Sequence, residues 1–140
     1  LIQTGRRRDG LRIVRDIRKR YDGRKRNPFD EAECGHHYAR ALASWGLIPA
    51  LTAFHYSALD HSFAIKSSSH PVKWPWAATG AWGTIELTPR KKSTEVVIEV
   101  LHGSISIARF ILSGTGEIRF TQPKNLVASR RSAFVVTNTP

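Results

Sequence analysis

The amino-acid sequence predicts an α+β fold in which two helices precede an antiparallel β-meander. Apolar residues recur at spacings of three and four up to about residue 53, which is typical of amphipathic helices. From about residue 61 onward, β-branched residues instead alternate with polar ones in short runs separated by turn residues, as in hairpins. The predicted organisation is a helical part over residues 1–56, a β-rich extension over 57–113 and a divergent tail with little predicted order over 114–140.

The first predicted helix runs from about Asp9 to Tyr21, with Asp9 as a candidate cap and Gly23 just past its end. Its apolar stripe consists of Leu11, Val14, Ile17 and Tyr21. The second predicted helix runs from about Glu33 to Ala53, and Pro49 should kink it or end its regular part. Because one of its faces is large and apolar and another is made of small residues, it should pack among other helices.

Four alternating runs predict strands, and Glu117–Thr121 adds a weaker fifth. The four runs are His61–Ile65, Thr84–Thr88, Thr94–Leu101 and Ser104–Leu112. The last two are separated only by His102-Gly103, which predicts a hairpin turn. Beyond Pro123 the pattern weakens.

The net charge of +11 is concentrated at the start of the chain. Residues 1–26 contain 11 Lys/Arg against three Asp, a net charge of +8, which fits either a nucleic-acid or anionic-membrane contact or a solvated helix face. Aromatic residues do not interleave this segment and no recognised binding motif follows, so nucleic-acid binding is not favoured. No apolar run approaches the ~20 residues of a membrane helix. Membrane association of a longer protein stays open.

The single cysteine, Cys34, excludes an internal disulfide framework and a cysteine-based zinc site, and it fits a reducing, cytoplasmic compartment. The chain begins at Leu1 and contains no Met, so we read it as a piece of a larger protein. Trp74, Trp76 and Trp82 lie in a Gly- and Pro-containing stretch, where they could pack in a core or form a platform for sugars.

Polar side chains crowd the start of the second predicted helix: Glu31, Glu33, His36, His37 and Arg40. Glu31 and Glu33 are two residues apart and diverge in either a strand or a helix, so they are not expected to form a catalytic pair. Glu33 suits the first turn of a helix, where it favours the helix dipole. The adjacent histidines diverge by about 100°, so no metal site is predicted. Arg40 needs an acceptor, either a carboxylate or a polar ligand.

The run from Arg26 to Trp45, R-N-P-F-D-E-A-E-C-G-H-H-Y-A-R-A-L-A-S-W, resembles a segment near the C-terminus of glycoside hydrolase family 116, which includes β-glucosidases and the non-lysosomal glucosylceramidase. Looser similarity extends over roughly residues 11–112. Phe29 and His36 depart from the residue types usual in that family.

The resemblance implies that the helices end an (α/α)6 barrel of a retaining hydrolase whose nucleophile and acid/base lie upstream of this chain. It further implies that Glu31 and Arg40 bind glucose hydroxyls, with Glu33, His37 and Tyr38 as possible supporting residues and with no cofactor or metal. A β-glucoside is the expected substrate of the complete protein, and the isolated chain is expected to be inactive. The alternatives are a non-catalytic carbohydrate-binding module and a basic nucleic-acid-binding protein.

Overall fold

The computed structural model describes residues 1–26 and 46–138 and divides into two compact units, Leu1–Leu51 and Thr52–Pro140. Helix α1 (Arg7–Arg18) lies in the first unit, and the short helix α2 (Leu47–Thr52) ends at the start of the second. The second unit, called the β unit below, contains seven strands: β1 (His55–Ser57), β2 (Ser62–Lys66), β3 (Val72–Ala78), β4 (Ala81–Pro89), β5 (Ser93–Ser113), β6 (Gly116–Val127) and β7 (Arg130–Thr137).

Helix α1 confirms the first predicted helix, although it begins two residues before Asp9 and ends three before Tyr21. Asp9 does not cap the helix; it lies in the first turn and forms ion pairs with Arg6 at 2.9 Å and Arg12 at 3.8 Å. Gly23 follows with φ +86°, the left-handed conformation expected of a glycine beyond a helix end. The predicted second helix from Glu33 to Ala53 lies mostly outside the described residues, apart from the stretch that forms α2.

Strand β5 organises the β unit, because four of the other six strands pair directly with it. Along its first half it pairs antiparallel with β4 and β7, and along its second half it pairs parallel with β2 and antiparallel with β6. Strands β3 and β1 extend the sheet beyond β4 and β2. Since β6 and β7 are separated only by Ala128 and Ser129, they follow β5 as one interrupted strand of a long hairpin.

Two irregularities divide β5 into three segments. The buried residues have even numbers in the first segment, odd numbers in the second and even numbers again in the third. Even-numbered residues from Thr94 to Val100 are buried, then the odd-numbered Ile105 and Ile107, then the even-numbered Phe110 and Leu112. Register shifts occur opposite Trp82/Gly83 and at Ile107/Arg109. Because a strand has a period of two, each extra residue moves the following side chains to the other face. These bulges keep apolar residues inward along a strand of 21 residues.

The core of the β unit consists of the inward-facing side chains of the curled sheet. Phe63 is fully buried and its ring contacts the rings of Phe54 at 5.0 Å, Phe110 at 5.6 Å and Trp76 at 5.7 Å between centroids. The remaining core side chains are aliphatic and come mainly from β2, β4 and β5, including Ile65, Ile85, Leu87, Val96, Ile98 and Leu112. The predicted strands over 61–65, 84–88, 94–101 and 104–112 therefore supply this core.

The predicted fold class is wrong. Of the described residues, 55% lie in strands and 15% in helices, and the sheet is curled and mixed, so the chain is not an α+β unit that ends an (α/α)6 barrel. Strands also continue through residue 137, beyond Pro123 where the sequence pattern weakens. The parallel pairing of β2 with β5 joins strands far apart in sequence, and such pairing leaves no signature in local periodicity.

Candidate functional site

The sequence-predicted sugar-binding residues lie outside the described residues. They are Glu31 and Arg40, with the supporting Glu33, His37 and Tyr38. The described residues offer four other candidates: the carboxylates of the β unit, its tryptophans, a groove beside His61 and a basic hollow in the first unit.

The three described glutamates at 86, 95 and 117 each form ion pairs with cationic side chains. Glu86 pairs with Lys73 and Arg131, Glu95 with Arg90, and Glu117 with Arg109 and Arg119. The hydrogen bond from Lys73 and the nearby positive charges lower the pKa of Glu86, and the hydrogen bonds from Arg109 and Arg119 lower the pKa of Glu117. A general acid needs a raised pKa, so these two carboxylates are poorly suited to acid catalysis.

The two other described carboxylates of the β unit are held by hydroxyl groups. Glu99 accepts a hydrogen bond from Thr84 at 3.2 Å. Asp60 accepts one from Ser62 at 3.0 Å, and hydrogen bonds from the hydroxyls of Ser57 and Ser62 lower its pKa. The five described carboxylates of the β unit are thus each held by cations or hydroxyls.

The tryptophans of the β unit divide between the core and the surface. Trp76 is 3% exposed and belongs to the core, and Trp74 packs partly buried against it. Trp82 is 51% exposed and its ring stacks on His102, with 6.2 Å between centroids and an 18° angle between planes. Core packing therefore holds for Trp76 and, in part, Trp74, whereas the indole of Trp82 remains an accessible aromatic surface.

A groove of about 530 Å³ opens at the corner of the β unit where β5 bends. Four segments line it: β1 with the β1–β2 connection, the β3–β4 turn, the middle of β5 and the end of β6. The lining residues are Tyr56, Ala58, His61, Thr79, Ser104, Ile105, Ser106, Asn125 and Val127. Among these described residues none carries a formal charge when His61 is neutral, and six of them have side-chain hydrogen-bonding groups.

His61 is held beside this groove by its own backbone. Its carbonyl oxygen accepts hydrogen bonds from the N–H groups of Ala108 at 2.8 Å and Arg109 at 3.2 Å, at the second bulge of β5. Its φ of +52° lies in the left-handed region, which is uncommon for a non-glycine residue and marks local strain. Its ring atom Nδ1 is buried and has no hydrogen-bond partner among the described residues, a state that costs about 1–3 kcal/mol.

Tyr56, Ser104, Ser106 and Asn125 also line the groove. Tyr56 lies in β1 and donates its hydroxyl hydrogen to the carbonyl oxygen of Ser106 at 2.9 Å, which ties β1 to β5. Its phenolic oxygen keeps its lone pairs for a further contact. Ser104 and Ser106 alternate with the buried Ile105, so both serine side chains lie on the outer face of β5. Asn125 pairs with Ser106 in the register of β5 and β6.

A second hollow, of about 400 Å³, lies in the first unit after α1 and is strongly basic. Its lining consists of Lys19, Arg20, Tyr21, Lys25 and Arg26. Asp22 lies in the same turn, where the N–H groups of Lys25 and Arg24 donate to its carboxylate and lower its pKa. This cationic turn suits an anion more than a neutral ligand.

The sequence analysis missed the groove beside His61. It treated His61 as the first residue of an alternating strand, and the structure instead begins β2 at Ser62 and gives His61 a turn conformation. In the part of the chain that the structure describes, no three His, Cys, Asp or Glu residues come together as a metal site. No described helix is long and apolar enough to cross a membrane.

No protein-family model matches the chain, and no curated protein matches it.

Proposed function

We propose that this chain is a non-catalytic, sugar-contacting part of a β-glucosidase-type glycoside hydrolase that acts in the cytoplasm. The observation that carries the proposal is the run from Arg26 to Trp45, in which Glu31 and Arg40 match glucose-binding positions of glycoside hydrolase family 116. The barrel fold is not part of the proposal, and the cytoplasmic location can be tested by cell fractionation with an antibody against the chain.

The chemistry of the two residues suits hexose hydroxyls. A carboxylate at Glu31 would accept hydrogen bonds from two neighbouring hydroxyls, and the guanidinium of Arg40 would donate to hydroxyl oxygens. Hydroxyl contacts that strengthen as the glycosidic bond breaks lower the barrier of the reaction. Glu33, His37 and Tyr38 would support the two principal residues.

The state of the described carboxylates supports a non-catalytic role for the β unit. A retaining glycosidase places two carboxyl groups about 5–5.5 Å apart and raises the pKa of one of them. The described carboxylates of the β unit are instead held by cations or hydroxyls, and the pKa of Asp60, Glu86 and Glu117 is lowered. In the proposed protein the nucleophile and the acid/base lie upstream of this chain, as the resemblance implies.

The experiment titrates the full chain with glucose, follows the amide chemical shifts of residues 27–45, and assays hydrolysis of an aryl β-glucoside. We expect no hydrolysis. Glu31→Gln and Arg40→Gln should each weaken glucose binding at least tenfold, because a hydrogen bond to a charged group contributes about 1.5–3 kcal/mol. The control Arg24→Gln, an exposed arginine outside the matched run, should leave binding unchanged.

Two results would contradict the proposal. Hydrolysis that disappears in Glu31→Gln would assign catalysis to this chain. Glucose binding that is the same in Glu31→Gln, Arg40→Gln and the original chain would remove these two residues from the sugar site.

A further inference from the structure

We infer that the first unit docks on an anionic phospholipid surface, where Ile13 and Ile17 enter the membrane interface and the basic hollow after α1 binds the lipid phosphates. The inference goes beyond the proposed function, because it concerns residues 1–26 alone and uses none of residues 27–45. It depends on three observations: the charge of the hollow, the exposure of the two isoleucines on α1 and the position of this apolar pair in line with the hollow.

The basic hollow concentrates positive charge that the described residues do not neutralise. Its lining and the turn beside it contain five cations: Lys19, Arg20, Arg24, Lys25 and Arg26. Asp22 is the one carboxylate of residues 19–26, so this segment has a net charge of +4, five minus one. None of the five cations forms an ion pair within residues 1–26 and 46–138, and the carboxylate of Asp22 accepts hydrogen bonds from backbone N–H groups instead. The hollow therefore presents its cations to an external anion.

Two isoleucines of α1 remain exposed although the neighbouring part of its apolar side is covered. Ile13 is 45% exposed and Ile17 is 50% exposed, and residues four apart are neighbours on a helix surface. In contrast, Gly10 is buried, with Cγ1 of Ile2 only 2.6 Å from the place of a Cβ atom, and Val14 is half-buried. The packing of the first unit therefore leaves this apolar pair available to a contact with an apolar surface.

The apolar pair lies in line with the hollow. Ile13, Ile17 and Tyr21 follow one another at intervals of four residues, and such positions lie within about 40° of each other on a helix. Tyr21 extends the helical path by a tighter turn, because its N–H donates to the carbonyl oxygen of Arg18 at 3.0 Å, and it lines the hollow. One side of the first unit therefore carries, in order, aliphatic side chains, a phenol and a group of cations.

This order of surfaces matches the interface of an anionic bilayer. Such an interface presents acyl chains, a region that accepts amphipathic aromatic rings, and phosphates that attract cations. Ile13 and Ile17 would contact the acyl boundary, Tyr21 the interfacial region, and Lys25 and Arg26 the phosphates. A nucleic-acid backbone also offers phosphates, but it has no acyl layer and would leave the isoleucines exposed. The apolar pair therefore favours a phospholipid surface over nucleic acid.

The other charges of α1 lie mostly away from this side of the helix. Arg8, Arg12 and Arg15 fall within about 60° of one another on the helix and roughly 150° from the isoleucine pair. Asp9 pairs with Arg12 at 3.8 Å, and Asp16 falls between the two sides. The helix thus offers a second cationic surface of the same chemistry that would face away from the membrane, which provides a matched control.

The experiment measures binding of the full chain to vesicles by co-sedimentation, with phosphatidylcholine alone and with an equal mixture of phosphatidylcholine and phosphatidylserine. We expect binding to the mixed vesicles and not to phosphatidylcholine alone. Lys25→Gln combined with Arg26→Gln should weaken this binding about 25-fold, because each cation near an anionic surface contributes about fivefold. The control Arg8→Gln combined with Arg15→Gln removes the same charge from the opposite side of α1. It should weaken binding only about threefold, because these residues lie about one Debye length further from the lipid.

Ile13→Gln combined with Ile17→Gln tests the apolar part of the surface. Both positions are exposed, so this variant should unfold at nearly the same temperature as the original chain. It should bind the mixed vesicles at least about tenfold more weakly, because it loses the transfer of two half-exposed aliphatic side chains out of water.

Four results would overturn the inference. The isoleucine variant could bind the mixed vesicles as the original chain does, or the two charge variants could bind equally weakly. Vesicles of phosphatidylcholine alone could bind as well as the mixed vesicles, or duplex DNA could bind more tightly than they do. Because the variants leave residues 27–45 unchanged, glucose binding at Glu31 and Arg40 is measured separately, and failure here leaves the proposed function unaffected.

Discussion

Replacement of Gly103 by alanine tests the bend that positions the groove. Gly103 follows the exposed Leu101 and His102 and has a φ of +74°. A Cβ atom added here would lie 1.8 Å from the carbonyl oxygen of Gly80 in the β3–β4 turn. Gly80→Ala is the matched control, because Gly80 has a similar φ of +83° and a Cβ there would meet nothing within 4 Å in the described part of the chain.

The two substitutions separate backbone strain from steric overlap. Left-handed backbone costs an alanine about 1–2 kcal/mol, and alanine also restricts the unfolded chain, so Gly80→Ala should lower the free energy of unfolding by about 1 kcal/mol. Gly103→Ala carries the same strain together with an overlap against backbone atoms on a neighbouring strand. We expect a loss above about 4 kcal/mol, a large fraction of the about 5–15 kcal/mol that is typical of a domain.

The assay is urea unfolding of the full chain followed by far-ultraviolet circular dichroism, which reports the strands. The midpoint and slope of each transition give the free energy of unfolding for the original chain and for both variants. A loss in Gly103→Ala within 0.5 kcal/mol (roughly the error between independent sites) of that in Gly80→Ala would refute the close approach of the β3–β4 turn to β5. The same result would also refute the shape of the groove described above.

Three further predictions concern the core, the acid range and a strained turn. Trp76→Ala should lower the free energy of unfolding by about 3–5 kcal/mol, and Trp82→Ala by less than about 1 kcal/mol, because only the first ring is buried; urea unfolding of both variants compares them. The folded chain lowers the pKa of Glu86 and Glu117, so their contribution to stability is complete above the unfolded carboxyl pKa of about 4.3 and is lost as the pH falls through the folded values. Urea midpoints should therefore decrease below about pH 4.5, and they should decrease less when both residues are changed to glutamine. Ser129→Gly should raise the free energy of unfolding by about 0.5 kcal/mol, because Ser129 has a φ of +62° and the relief of strain exceeds the entropy cost of glycine; a thermal scan that shows a lower midpoint would contradict this.

The inward-facing residues of β5 were predictable from the sequence. Val96, Ile98 and Val100 alternate with polar or less buried residues, and Ile105 and Ile107 do the same one register later. The change of parity is visible in the printed sequence, since the interval from Val100 to Ile105 is odd. Local alternation therefore indicated both the strands and the side of each that is buried.

The structural role of His102-Gly103 was not predictable from the sequence. A glycine with positive φ between two alternating runs is compatible with a tight hairpin turn and with a bulge inside one continuous strand. The bulge is favoured over the hairpin turn because β6 and β7 pair along β5 on both sides of Gly103, and because the carbonyl oxygen of Gly80 lies against Gly103. These partners are distant in sequence, so local patterns carry no information about them.

The strands after Pro123 were missed for a related reason. Most side chains of β6 and β7 are exposed or half-buried, and only Leu126 and Val136 are deeply buried. Such strands form because an already buried neighbour offers its free hydrogen-bonding edge, and their own sequences carry little alternation. The sequence could therefore indicate the strands that make the core and could not indicate those that pair alongside it.

The groove was missed because its residues are ordinary one by one and are brought together from four segments. The sequence pattern indicated a site in residues 27–45, because charged residues are concentrated there. In contrast, Ser104, Ser106 and Asn125 resemble the solvent-facing positions of any strand. The sequence does contain one informative conflict at His61: the alternation predicts a strand residue, and the structure gives a left-handed turn with an unpaired ring nitrogen. Local alternation cannot indicate this turn, because the N–H groups that hold the carbonyl oxygen of His61 belong to Ala108 and Arg109, which are distant in sequence.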